Sequence, residues 1–125
     1  MNTDTHIADT VRAHEPEDLT RLFVQFANAG DALALSELYE PDAVVAYPPG
    51  SQTTGRAAIE SLYRQMLAKM SRFEPEEPLP TLRAGDLALS STRRRDGNGI
   101  RVQVARRQSD GSWLRVIDMP EPPTG

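Results

Sequence analysis

Residues 54–70 read TGRAAIESLYRQMLAKM, and residues 87–105 read LALSSTRRRDGNGIRVQVA. In the first stretch Ile59, Leu62, Tyr63, Met66, Leu67 and Met70 lie on one side of a helix, at spacings of three and four. In the second, apolar side chains return at alternate positions, the spacing of a half-buried strand. Asp96-Gly97-Asn98-Gly99 interrupts them where a hairpin turn needs residues tolerant of positive φ. The period changes near Glu74, after a clear helix and before a run of strands. That order predicts an α+β fold, with helices of the N-terminal half packed on one side of a curved, mostly antiparallel sheet.

Working outward toward the N-terminus, Leu19, Leu22, Phe23, Phe26 and Ala27 form a second helical stripe, with Pro16 suited to its first turn. Gly30 ends it and Asp31 caps the next helix. Leu35, Leu38 and Tyr39 give that short helix its apolar side, and Pro41-Asp42 stops it. Ala43–Tyr47 is β-branched and runs into Pro48-Pro49-Gly50, a strand entering a tight loop. Pro75, Pro78 and Pro80 mark an edge strand or an irregular lead-in. Beyond Asp110-Gly111, Trp113–Met119 reads as a last strand, and Pro120-Glu121-Pro122-Pro123 ends the sheet. The organisation expected is an N-terminal arm over 1–15, one domain over 16–120 and a Pro-rich tail over 121–125.

The 125 residues suit a single domain able to bury its own core. Without cysteine there are no disulfides, thiolate metal sites or thiol nucleophiles. No apolar run approaches the roughly 20 residues of a membrane span, and Met1-Asn2-Thr3-Asp4 does not open a signal peptide. The expected setting is therefore cytoplasmic, with no membrane partner. The net charge of −4 argues against a general nucleic-acid binder. The runs Arg93-Arg94-Arg95 and Arg106-Arg107 lack interleaved aromatics and read as a solvated face or as charge pairing across a dimer.

Five short motifs in order carry a resemblance: Asn28-Ala29-Gly30-Asp31; Leu38-Tyr39-Glu40-Pro41-Asp42-Ala43-Val44; Pro48-x-Gly50; Gly55-Arg56-x-x-Ile59-x-x-x-Tyr63-Arg64; and Asp110-Gly111-Ser112-Trp113 running on to Asp118. Over about residues 17–119 the chain resembles the cone-shaped fold shared by nuclear transport factor 2, ketosteroid isomerase and SnoaL-like polyketide cyclases. The resemblance implies helices and an inner sheet face enclosing an apolar cavity open at one end. The fold hosts isomerases, cyclases, binding proteins and assembly modules, so function rests on the side chains present.

Ketosteroid isomerase needs a carboxylate base and an oxyanion hole made by a tyrosine and a protonated aspartic acid, a worked case of pKa tuning. The matching positions here hold Tyr47, Phe23 and a strand around 102–105 without an acid. Steroid isomerisation by that mechanism is therefore not expected. Tyr39 and Tyr63 match the tyrosines that support the oxyanion tyrosine in that family. Of the ionisable groups left, Asp118 is the best acid/base candidate, on a strand face shared with Leu114 and Val116. Tyr47 is the candidate orienting donor, and Phe23, Tyr39, Tyr63 and Met66 are candidate wall residues around a small apolar ligand.

Each residue also has a plainer reading. Asp118 can be a strand-end carboxylate paired with arginine, Tyr39 and Tyr63 core tyrosines, Met66 core, and Arg56 the bearer of a structural salt bridge. Gln103 shares its face with Arg101, opposite Val102 and Val104, which argues against a cavity role. His6 and His14 lack further ligands near them in sequence, so no metal is expected, and no cofactor motif is present. Ser90-Ser91 has no base partner. Three functions remain: a SnoaL-like enzyme moving a proton on an apolar, polyketide-like carbonyl substrate; a non-catalytic small-molecule binder; and a homo-oligomerisation module with a filled cavity. A homodimer is expected through an apolar stripe of Trp113, Ile117 and Met119.

Overall fold

The computed structural model describes residues 12–70 and 72–121. Helix α1 (Asp18–Asn28) buries Leu19, Leu22 and Ala27 along the expected stripe. Gly30, at φ +69°, turns the chain out of it. Asp31 then caps α2 (Ala32–Ser36), its carboxylate accepting from the Ala34 N–H at 3.0 Å. Helix α3 (Arg56–Leu67) begins after Gly55, whose φ of +93° suits only glycine, and buries Ile59 and Tyr63. No helix among the described residues is long and apolar enough to cross a membrane.

The strands are β1 (Tyr39–Val45), β2 (Thr53–Thr54), β3 (Glu77–Pro78), β4 (Leu82–Ala84), β5 (Leu87–Arg93), β6 (Ile100–Arg107) and β7 (Trp113–Met119). Among the described residues they form one sheet in the order β2-β1-β7-β6-β5-β3, with β4 also paired to β5. Every pairing is antiparallel except β1 with β7. The expected architecture of three helices on a curved, mostly antiparallel sheet is the one observed.

Three local expectations need correction. Tyr39 belongs to β1 and not to the preceding helix. Helix α2 ends at Ser36, and Tyr39 pairs with Arg115. Pro41, expected to stop a helix, lies in an irregular part of β1, where Tyr39 to Val44 spans the distance from Arg115 to Ile117 on β7. A proline lacking its N–H is tolerated in such a bulge.

The second correction concerns β7. Val104 pairs with Ile117 but Ala105 with Arg115, which leaves Val116 as an extra residue in the strand. This β-bulge resets the alternation. Leu114, Val116 and Asp118 therefore do not share a face: Trp113, Arg115 and Asp118 are buried under the helices, while Ile117 and Met119 are exposed. The third is β6, whose inward residues are Gln103 and Ala105, while Val102 and Val104 face away with Ile117 and Met119.

Residues 12–15 of the expected arm are docked. Ala13 is buried and its carbonyl accepts from the Trp113 N–H at 2.9 Å, while Arg12 pairs with Asp110. His6, the rest of that arm and residues 122–125 lie outside the described residues. The segment leading into the sheet is pinned at Phe73, whose backbone N–H and C=O both bond the Asn28 side chain at 2.8 and 3.0 Å.

Replacing Asp31 with Ala removes the α2 cap and is expected to cost about 1 kcal/mol. Urea unfolding measures it, and an unchanged midpoint would show that the cap contributes nothing.

Candidate functional site

Two rows of inward side chains cross the sheet. One runs Val45, Asp118, Gln103, Ser90 and the other Tyr39, Arg115, Ala105, Ala88, each neighbour paired in register. All eight are buried. The bulge at Val116 is what puts Arg115 and Asp118 on the same side, since residues three apart in a regular strand face opposite ways.

Asp118 is 2 % exposed and sits at the centre of the polar contacts. The Tyr39 hydroxyl donates to its Oδ2 at 2.5 Å, and Gln103 Nε2 donates to its Oδ1 at 3.3 Å. The Arg115 guanidinium is 3.4 Å from Oδ2 and equally far from the Tyr39 hydroxyl. Because Tyr39 spends its one proton on Asp118, Tyr63, 2.9 Å away, donates to Tyr39. The result is a directed chain from Tyr63 through Tyr39 to Asp118.

Helix α1 closes this cluster from above. Phe23 lies edge-on to Tyr63, with ring centres 5.5 Å apart, and its face covers Arg115 at 5.2 Å. Arg115 was not singled out in the sequence, because a charged residue in an alternating strand reads as outward-facing. Burial works against its charge, but the neighbouring Tyr39 and Asp118 oxygens outweigh that and raise its pKa. The Tyr39 and Tyr63 phenols are both pushed well above their usual range, first by burial and then by the Asp118 charge. They are proton donors in hydrogen bonds and not bases.

The other candidates fall around this centre. Tyr47 is partly buried against the core beyond Val45, next to Ala46, whose N–H bonds the Asp118 carbonyl at 2.8 Å. Met66 packs on the same core from α3. Arg56 forms no salt bridge among the described residues; its Nε and Nη2 donate to the Tyr39 carbonyl at 3.0 and 2.6 Å and tie the start of α3 to β1. His14 is exposed, its backbone N–H bonded to Asp18. The arginine runs are largely neutralised within the chain: Arg93 pairs with Glu77, Arg94 with Asp96 and Glu121, Arg106 with Glu40, and Arg107 with Asp86.

A hollow of about 850 Å³ lies elsewhere. Phe26, Leu38 and Trp113 line it together with Arg12, Arg56 and Asp110, and none of Phe23, Tyr39, Tyr47, Tyr63, Met66 or Asp118 does. Beside Asp118, Tyr39, Val45, Ile59 and Tyr63 pack in one core cluster, with Phe23, Tyr47, Met66 and Phe73 partly buried against it. Two buried polar atoms, Gln103 Oε1 and Arg115 Nε, have no hydrogen-bond partner among the described residues.

A family model described as the SnoaL-like domain matches residues 19–116. No curated protein matches the chain. Among solved structures, an NTF2-like protein with a cystatin-like fold from Novosphingobium aromaticivorans is 25% identical, at a TM-score of 0.61 over 82% of this chain and 75% of that one. A ketosteroid isomerase-like protein from Erwinia carotovora atroseptica is 15% identical, at a TM-score of 0.66 over 82% and 89% of the two chains. A protein from Catenulispora acidiphila, solved in complex with S-DNPA, is also 15% identical, at 0.62 over 82% and 86%. The last two show likeness of fold alone.

The raised phenol pKa values carry a pH signature. Their contribution to stability is present in full below the ordinary phenol value of 10.0 and is lost as the pH rises toward the folded-state values, because the unfolded chain ionises first. Ultraviolet titration is expected to show Tyr39 and Tyr63 ionising only as the protein unfolds. Ionisation of these two phenols in the folded state at the ordinary phenol pH would contradict the buried chain.

Proposed function

This chain belongs to the SnoaL-like domain family, and on that premise we propose that it is a small-molecule enzyme that moves a proton on a carbonyl substrate, with Asp118 as the base. The observation that carries this reading is the buried Asp118 carboxylate, held by Tyr39 and charge-balanced by Arg115. An ionised pair inside a protein costs several kcal/mol of desolvation per ion, and an apolar pair would fill the space at less cost. A dry carboxylate with a fixed partner set, one oxygen anchored and the other lightly held, is what general-base chemistry uses.

In this reading Oδ2 is the anchored oxygen and Oδ1, with one long bond from Gln103, faces the substrate. Asp118 removes a proton α to the carbonyl. The Tyr47 hydroxyl, which has no hydrogen-bond partner among the described residues, meets the developing enolate oxygen. Phe23, Tyr63 and Met66 supply the apolar wall. Tyr39 and Tyr63 keep the carboxylate in place by hydrogen bonding. Substrate reaches the site by displacing the partly buried side chains that cover it from α3 and the Phe73 segment.

The test is hydrogen–deuterium exchange into a panel of cyclic and aryl ketones in D₂O, followed by NMR. The native chain is expected to accelerate exchange, and Asp118→Asn to lose about 10²–10⁴-fold of it. Equal rates for the two proteins would contradict the assignment.

A second reading, a non-catalytic binder or assembly module, is favoured by the filled centre of the cone. Both readings include a homodimer. Leu89, Val104 and Ile117 form an outward apolar row in register, flanked by Leu87 and Met119, and Trp113 is excluded from it by its burial. The charges near its edges are already paired, Arg106 with Glu40 and Arg93 with Glu77, so the face suits a second copy of itself and not a charged partner. Sedimentation is expected to give a dimer for the native chain and a monomer for Ile117→Glu. A monomeric native chain would remove the dimer from both readings.

A further inference from the structure

We propose that Gln103 is the specificity-determining residue of this site, and that its carbonyl oxygen, unpaired among the described residues, selects substrates carrying a hydroxyl or N–H donor in addition to the reacting carbonyl. This inference rests on the placing of the site at Asp118, and it narrows the substrate class.

The side chain is 6 % exposed and lies between Ser90 and Asp118 in the inward row. Its amide has only one workable orientation. With Asp118 ionised beside Arg115, the carboxylate requires a donor, so Nε2 faces Oδ1 and Oε1 faces away. Oε1 is then a buried acceptor with nothing donating to it among the described residues. Ser90 stands beside Gln103 in register on β5. A buried acceptor left empty is costly, and a ligand donor placed on it recovers that cost.

Among the described residues, Gln103 Oε1 is the one fully buried side-chain acceptor without a donor. Thr92 and Arg101 are both engaged by Glu76 Oε1, at 3.1 and 2.9 Å, and the second guanidinium arm of Arg101 holds the Pro120 carbonyl at 2.6 Å. The Asp118 oxygens are spoken for by Tyr39, Arg115 and the chemistry. An acceptor that is buried, oriented and unpaired discriminates strongly, because an analogue lacking the donor leaves it empty again.

The test uses matched ketone probes, the 3- and 4-hydroxyacetophenones against their methyl ethers, with binding followed by ligand-observed NMR. The native chain is expected to prefer the hydroxyl member of a pair by about 10–100-fold. Gln103→Met removes the acceptor and is expected to bring the ratio close to one. Gln103→Asn keeps an amide but withdraws it by one methylene, and is expected to lower the ratio even if the Met variant does not fold. A native chain that binds both members equally, or neither, overturns the proposal, as does a preference that persists in both variants. Proton exchange is not read here. A Gln103-dependent preference alongside no Asp118-dependent exchange would remove the catalytic assignment and leave this one standing.

Discussion

The step of one residue at Val116 governs the interior of this protein. Arg115 and Asp118 are three apart, so a regular strand would send one to the helices and the other to solvent. The bulge turns both inward and sets them beside each other in adjacent rows. Strand β1 answers with an irregularity of its own around Pro41, so that Tyr39 lies beside Arg115 and Val45 beside Asp118. Arg56 fixes that arrangement by holding the Tyr39 carbonyl from the start of α3. The hydroxyl chain from Tyr63 to Asp118 exists only because these three elements are locked at this corner.

The sheet consequently has its polarity reversed. Ser90, Thr92, Gln103, Arg115 and Asp118 are buried, whereas Leu87, Leu89, Ile117 and Met119 are exposed. Helices α1, α2 and α3 supply the apolar core through Leu19, Leu22, Leu35 and Ile59 and leave the concave sheet wall free to be polar. Burying that many polar groups is costly unless each is satisfied, and two atoms have no partner among the described residues. The proposed chemistry at the wall gives that cost a purpose. The exposed apolar face is the surface proposed for a second copy of the chain.

Much of this was legible in the sequence. The stripes of α1 and α3, the Asp31 cap and the glycine-marked hairpins are local signals, and these elements formed where their spacing places them, except that α3 stops at Leu67 and leaves Met70 exposed. Three features were not legible, for reasons that are physical. Leu35, Leu38 and Tyr39 have helical spacing, but the chain leaves the helix at Ser36 because Tyr39 gains a strand partner in Arg115, seventy-six residues away. The bulge has no signature in Arg115-Val116-Ile117, so simple alternation assigned the wrong face to Trp113 and grouped Asp118 with Leu114 and Val116. Alternation argues against a cavity role for Gln103 and draws no attention to Arg115, because polar residues in an alternating strand are ordinarily the outward ones, and here the outward ones are apolar. Asp118 is a candidate from its chemistry alone, while the groups that hold it are visible only in three dimensions.

The central claim is that the buried Arg115–Asp118 pair is kept for what it does and not for the stability it confers. Urea unfolding of the double variant Arg115→Met with Asp118→Leu tests this most directly, because both charges leave together and similar volume remains. The account predicts a double variant at least as stable as the native chain, while Arg115→Met alone loses about 3–5 kcal/mol by stranding a buried carboxylate. A double variant as unstable as the single one would show that the pair holds the fold together, and would contradict the claim.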